Sequence, residues 1–479
     1  MKNLESGLNR SPQRFSVAFT KQRNWRSFIH SVQCAFTREK KAPWKALKKK
    51  RRPRPRSRGY KNNVRTSDEP DQLGKCVAVI FTPLNIGPLT LRNRTVRASA
   101  FEGMCNGHNP SAELIEYHRS VAAGGIGMTT VAYAAVEQSG LSFPHQLWIR
   151  PEIVADLRKL TECVHKEGAA AAIQIGHCGN MAKSAVAGGR PIAPSARPNL
   201  YALTWPRAMT GDDIKRVATS FGNAVHLARE AGFNAVEVHA GHGYLISQFL
   251  SPYTNRRKDK YGGSIDGRMR FMCEVIEQVR AAAESDIAVV VKMNLSDGFA
   301  GGQTLDEGVL IARQLEQLGV DALVLSGGFV SRSPMYILRG AMPTDVMAEL
   351  MTEKVLKMGA RLFGKMLVPK VPYEKTYFLR DAKVIQREVK LPLIYVGGVT
   401  SREDCEAVLK EGFQAIAMAR ALIIDPDFIK KLAQEGASAP CDHCNYCAAR
   451  IYTTHMACHF REPPLENVRY RLQKHLESL

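Results

Sequence analysis

Several groups of side chains in this sequence could do chemistry. Within the run His239-Ala240-Gly241-His242-Gly243-Tyr244 stand two imidazoles and a phenol, groups that donate hydrogen bonds and exchange protons. Two histidines so placed could also bind a metal, but no third nearby ligand accompanies them. Gln174 ends one apolar run and Lys292 another. A lysine there is costly to desolvate unless an anion lies near, either a ligand or a carboxylate of the same fold. Gly327-Gly328, Gly397-Gly398 and Ala419-Arg420 follow three later apolar runs. Glycines at such points let backbone N–H groups approach a phosphate, and Arg420 can add a charge-assisted bond, so a phosphorylated cofactor is expected. Lastly, Cys441, Cys444, Cys447 and Cys458 stand close together near the C-terminal end.

The elements that must position these groups are legible from Phe81 onward, where short apolar runs alternate with segments of helical period. The runs are Thr95–Ala98, Gly127–Val131, Ala169–Ile175, Ala235–His239, Ala288–Met293, Ala322–Ser326, Leu393–Val396 and Ala415–Met418. Thr210 with Asp213, Thr304 with Glu307 and Ser401 with Asp404 have the spacing of capping boxes, while Gly232, Gly319 and Gly412 stand where the helices should stop. Eight β-α units predict an α/β protein of the (β/α)8 TIM-barrel class, whose catalytic groups sit where strands end. No GxGxxG opens a helix after the first strand, which argues against a doubly wound sheet. The stretch from Gly328 to Leu391 is long enough to carry an insertion beside the active-site face. The expected organisation is a basic extension over residues 1–75, a barrel over 76–440 and a cysteine-bearing segment over 441–479.

In these residues the sequence resembles the Old Yellow Enzyme family of FMN-dependent NAD(P)H oxidoreductases, particularly the barrel domain of 2,4-dienoyl-CoA reductase and its single-domain relatives. Phe81-Thr82-Pro83-Leu84 and Leu91-Arg92-Asn93-Arg94 match the family's F-x-P-L and L-x-N-R. The match is densest from Glu237 to Phe271, where His239, His242, Tyr244, Phe249-Leu250-Ser251-Pro252, Asn255-Arg256, Asp259, Tyr261-Gly262-Gly263-Ser264, Arg268 and Arg270 stand in family order. The resemblance implies FMN as cofactor and NAD(P)H as reductant. It places Gln174 on the flavin pyrimidine edge and Lys292 beside N1 and the C2 oxygen, where a cation favours the reduced form. His239 and His242 would clamp the carbonyl oxygen of an enone, so that its alkene accepts hydride from flavin N5. Tyr244 would deliver the proton to the α carbon. Ala98-Ser99-Ala100-Phe101 and Tyr133 also fall at the flavin, and two of them depart from the family. Phe101 cannot hydrogen-bond where many relatives carry Cys or Thr, and Tyr133 stands where Ala or Gly is common, so that its ring would narrow the substrate pocket or contact the flavin edge.

The cysteines are spaced C-x2-C-x2-C-x10-C, whereas dienoyl-CoA reductase relatives that hold a [4Fe–4S] cluster usually show x3 and then x11. Three states are open for them: a cluster, a structural zinc with His459 as an alternative ligand, or free thiols. No dinucleotide-binding domain to feed a cluster is expected in this sequence.

The formal net charge of +22 is unevenly spread. Residues 1–75 hold 21 Lys and Arg against 5 Asp and Glu, leaving 46 against 40 for the rest. The first stretch, with Lys48-Lys49-Lys50-Arg51-Arg52-Pro53-Arg54-Pro55-Arg56, has too many charges and prolines to fold alone. It reads as a solvated tail, an organelle presequence, or a nuclear-import patch or one contacting nucleic acid or another polyanion. No run reaches the roughly 18 apolar residues of a membrane span, so no membrane partner is expected. Eleven cysteines, mostly scattered, suggest a reducing compartment, cytoplasmic or mitochondrial. The expected partner is a small-molecule alkene or enone, with a homo-oligomer compatible with the fold. A dienoyl-CoA-type reductase with an iron–sulfur cluster, and a non-catalytic flavin-binding or polyanion-tethered barrel, are the competing readings.

Overall fold

A computed structural model describes residues 79–479 apart from Thr352, Glu435 and Thr453. The basic stretch of residues 1–75, with its presequence, nuclear-import and polyanion readings, lies outside the described residues.

Each of the eight apolar runs lies on a strand: β1 Thr95–Arg97, β2 Met128–Ala135, β3 Ala170–Gly176, β4 Ala235–Ala240, β5 Ala288–Asn294, β6 Ala322–Ser326, β7 Leu393–Val396 and β8 Ala415–Met418. Neighbours in sequence pair in parallel and β8 pairs with β1, closing the barrel. The strands are apolar on both faces because one face meets the barrel interior and the other the helices. Ala98, Met128, Ala172, Ala235, Ala288, Val290, Ala322, Val324, Ile394, Ala415 and Ala417 form the inner cluster. Leu84, Ile86 and Leu91 join it from the antiparallel hairpin of Leu84–Ile86 with Leu89–Leu91.

The helices of the repeating units are α1 Ala112–Ala123, α2 Val154–Lys166, α3 Gly211–Glu230, α4 Ile265–Ala283, α5 Leu305–Gln317, α6 Leu379–Gln386 and α7 Arg402–Lys410. All three capping boxes form, opening α3, α5 and α7. Gly232 follows α3 with φ +85°, a conformation that costs a side-chain-bearing residue about 1 kcal/mol or more.

The predicted insertion after β6 contains helices Pro334–Leu338, Thr344–Leu350 and Lys354–Leu367 before α6. It does not stand alone. Val346, Met347 and Leu350 share a buried cluster with Cys444, Tyr446, Ala449, Val468 and Leu472, so the insertion and the cysteine-bearing segment pack as one cap.

Candidate active site

Barrel register decides which strand-end residues meet. Pairing of β3 with β4 sets Gln174 beside Glu237, pairing of β4 with β5 sets His239 beside Lys292, and pairing of β5 with β6 sets Asn294 beside Ser326. From the end of β1, Ser99 reaches the same point. Its hydroxyl donates to Glu237 and accepts from Lys292 Nζ and, at 2.8 Å, from Gln174 Nε2. Gln174 Nε2 also donates to Glu237 Oε1 at 2.6 Å, and Lys292 Nζ lies 3.3 Å from that oxygen. Lys292 therefore has the barrel carboxylate that the sequence left as one of two options. Glu237 was missed in the sequence, although an acid inside an otherwise apolar run is a readable signal. Gln174, Glu237 and Lys292 are all buried.

Beside this network, Phe101 forms an aromatic wall rather than a polar contact. Its ring stacks on Phe143 at 5.4 Å and lies 5.5 Å from Tyr133. Tyr133 is buried, its hydroxyl 3.0 Å from both Ser142 Oγ and Cys178 Sγ, and its ring lies edge-on to Tyr244 at 5.1 Å. Ala98 continues β1 by donating its N–H to the Met418 carbonyl, and Ala100 turns back on it.

His239, His242 and Tyr244 cluster where β4 ends, with ring centroids 5.2 Å apart for the two histidines and 4.5 Å for His239 and Tyr244. His239 Nδ1 faces the Gly241 N–H at 3.4 Å, which leaves Nε2 to carry the proton and to donate. His242, at φ +59°, donates its backbone N–H to Asn294 Oδ1 at 3.0 Å and sets Nε2 2.7 Å from Ser326 Oγ. Burial, then His242 and Lys292 nearby, hold His239 well below the usual imidazole range. Burial and Lys292 push His242 down to about 3. Both are neutral donors near pH 7. Burial, with Cys178 nearby, raises the Tyr244 phenol above its ordinary value, so it keeps its proton. Among the described residues, the one group of three metal-ligating side chains lying close together is Asp442, Cys444 and His459, far along the chain from these histidines.

The glycine pairs and Arg420 meet on the other side of the barrel mouth. A Cβ on Gly397, whose φ is +133°, would come within 2.8 Å of the Phe378 ring, and one on Gly328 within 2.5 Å of Ile337. Gly398 is similarly closed, with Tyr377 at 2.8 Å, and Gly327 is tight, with the Tyr336 ring at 3.1 Å. Arg420 follows Ala419, and its Nη1 donates to Asn445 Oδ1 at 3.0 Å. Arg339, from the insertion, packs its guanidinium over Tyr336 and Tyr377 at 4.8 and 4.7 Å, and its buried Nε has no partner. Unpaired buried donors are rare, and a cationic one suits an anion such as a phosphate. With the amide and ammonium of Gln174 and Lys292, these residues fit a phosphorylated flavin. Arg339 had no distinguishing mark in the sequence.

Cys441, Cys444, Cys447 and Cys458 line one cavity, together with Arg420, Asp442, Asn445 and His459. All four are unpaired thiols, raised by burial, Cys447 to about 12. Metal binding would remove those protons, and four thiols around one cavity are the donor set of a [4Fe–4S] cluster, whereas no three of them lie within 4.8 Å of one another as tetrahedral zinc ligation would require. His459 instead pairs with Asp442, at 2.8 Å. Beyond Cys447 the segment folds back to the barrel: the Ile451 carbonyl accepts from His145 Nε2 at 2.9 Å, and the hydroxyls of Tyr452 and Tyr201 bond to each other. Tyr452 also lies 6.2 Å from Phe143, edge to face. Tyr201 and Tyr452 thus join the aromatic wall, a role their sequence positions did not suggest.

The chain is similar to known proteins. The family model described as NADH:flavin oxidoreductase / NADH oxidase matches residues 79–361. Over 378 residues the chain is 41% identical to the 4,4'-dithiodibutanoate disulfide reductase of Rhodococcus erythropolis, covering 78% of this chain and 93% of that protein. It is 32% identical to the NADH oxidase of Thermoanaerobacter brockii over 77% of this chain, but spans about half (52%) of that longer protein. The solved old yellow enzyme homologue from Zymomonas mobilis superposes with a TM-score of 0.61 at 23% identity, covering 81% of this chain and 99% of it, a likeness of fold. The chain belongs to the NADH:flavin oxidoreductase / NADH oxidase family, the Old Yellow Enzyme family, and is an FMN-dependent NAD(P)H oxidoreductase.

Proposed function

We propose that the enzyme reduces the activated C=C bond of an α,β-unsaturated carbonyl compound. The observation that carries this reading is the juxtaposition of two neutral imidazoles and one protonated phenol at the end of β4. Bound FMN supplies the hydride carrier between the nicotinamide and the acceptor. His239 and His242 hold the acceptor's carbonyl oxygen and draw electron density from the alkene. Because both are neutral, they donate without binding an ordinary ground-state anion tightly. Tyr244 adds the proton to the α carbon. Gln174 and Lys292 bind the flavin ring, with Ser99 and Glu237 orienting them, while Gly327, Gly328, Gly397, Gly398, Arg420 and Arg339 take its phosphate. Ala98, Ala100, Ala419, Phe101 and Tyr133 shape the walls. Water is excluded by Phe101, Tyr133, Phe143 and Tyr452.

Stopped-flow separation of the half-reactions tests this proposal. Flavin reduced by NADPH and then reoxidised by a simple enone under anaerobic conditions supports it. Rapid reduction without reoxidation by any enone sinks the acceptor assignment. The Rhodococcus relative is named for reducing a disulfide, so an organic disulfide, taking two electrons and two protons to give two thiols, belongs in the same assay.

The four cysteines support a second element of the reading: Cys441, Cys444, Cys447 and Cys458 hold a metal centre. Their convergence on one cavity favours this over free thiols. Metal analysis with the visible spectrum separates iron–sulfur from zinc.

A further inference from the structure

The helix Lys354–Leu367 exposes what a protein surface normally hides. Val355, Met358, Leu362, Phe363 and Met366 are 66%, 51%, 68%, 51% and 56% exposed, and no other described helix shows so many large apolar side chains. The helical period gathers them on one face. The charged residues of the helix are Lys354, Lys357, Arg361 and Lys365, with no acid among them, and the same period sets them in a strip along one edge of the apolar face. Gly364 is buried, and Thr344 stands so close that a Cβ there would come within 2.9 Å, so the helix lies flat on the cap with its apolar face outward. Glu349 takes Lys357, Arg361 and Arg471 together, three cations on one carboxylate, which leaves the strip net positive.

We propose that this helix docks the enzyme on an anionic lipid surface. An apolar face bordered by cations matches the layering of acyl chains and acidic headgroups. A second copy of the chain fits less well, because an antiparallel two-fold contact along this helix would lay the cationic strip beside its own copy. Nucleic acid would answer the cations but leave the apolar face wet. Stable peripheral binding generally takes two signals, here the apolar face and the cationic strip beside it. Among the described residues no helix is long and apolar enough to cross a membrane; lying on one makes no such demand.

The test is co-sedimentation of the full-length FMN-loaded protein with vesicles of phosphatidylcholine alone and of phosphatidylcholine with phosphatidylserine. We expect binding to the anionic vesicles only, weakening as salt rises. Leu362→Glu with Phe363→Glu should lower that binding at least about tenfold, as should Lys354→Glu with Lys365→Glu. Flavin content and flavin reduction by NADPH should stay unchanged. If the glutamate pair disturbs flavin content, Leu362→Ser with Phe363→Ser makes the same comparison more gently. No binding to anionic vesicles at low salt overturns the proposal. So does undiminished binding by the apolar-face variants, which would assign the attraction to the basic stretch alone. A concentration-dependent dimer that these variants dissolve, without vesicle binding, would make the face a subunit interface instead.

Discussion

Asn445 ties the turn after β8 to the insertion: its Oδ1 accepts from Arg420 Nη1 at 3.0 Å, and its amide donates to the Arg339 and Ala341 carbonyls at 2.7 and 3.1 Å. It sits between Cys444 and Cys447, buried, with φ +57°. The arginine proposed for the phosphate is therefore oriented by the segment that carries the cysteines. Asn445→Ala should weaken FMN binding about tenfold, since a hydrogen bond to a charged group contributes roughly 1.5–3 kcal/mol. Titration of the apoprotein by flavin fluorescence measures it; wild-type affinity would show that Arg420 does not depend on this contact.

His239→Ala combined with His242→Ala should leave reduction of the flavin by NADPH nearly intact and cut enone turnover a hundredfold or more, on the order of removing an oxyanion donor. Unchanged enone turnover would remove these histidines from the acceptor site.

Tyr244→Phe should slow reoxidation by an enone far more than reduction by NADPH. Since burial raises this phenol, the wild-type reoxidation rate should hold through the pH range where an ordinary tyrosine ionises. A decline centred on pH 10 would show a solvent-like phenol.

The depressed His242 makes a stability prediction with a definite sign. Its folded value, about 3, lies below the 6.5 of a free imidazole, so the unfolded chain binds the proton first. The contribution is complete above about pH 6.5 and is lost progressively as pH falls toward 3. Thermal denaturation of wild type and His242→Asn across this range should show a shallower acid decline in the variant.

Glu237→Gln removes the carboxylate paired with Lys292 without removing its volume. The uncompensated ammonium should favour the reduced flavin and raise its midpoint potential, measured by dye-coupled spectrophotometric titration. Glu237→Leu, which leaves the cation buried and unpaired, should cost about 3–5 kcal/mol of stability.

Cys447→Ser should abolish bound metal while keeping the oxidised flavin bands, read by metal analysis and absorbance on oxygen-protected protein. Metal-free wild type would return these residues to free thiols.

Much of the architecture was legible because it is encoded locally. Alternation of apolar runs with helical period marks eight β-α units, and a Thr or Ser three residues before Asp or Glu starts a helix by hydrogen bonds within one turn. Strand ends in a barrel face one mouth, so Gln174, His239, His242, Tyr244 and Lys292 could be picked out in order along the chain. What only the tertiary structure decided are contacts across large sequence separations. Barrel closure and register place Ser99 on Glu237 and Lys292, the insertion lays Arg339 over Tyr377, and the returning C-terminal segment sets Tyr452 against Tyr201. Cys441, Cys444 and Cys447 lie near one another by their spacing, and Cys458 joins their cavity only through the fold of the segment. Local patterns bias each segment independently, whereas these partners meet only after strand pairing and burial have paid the entropy of closing the long loops between them.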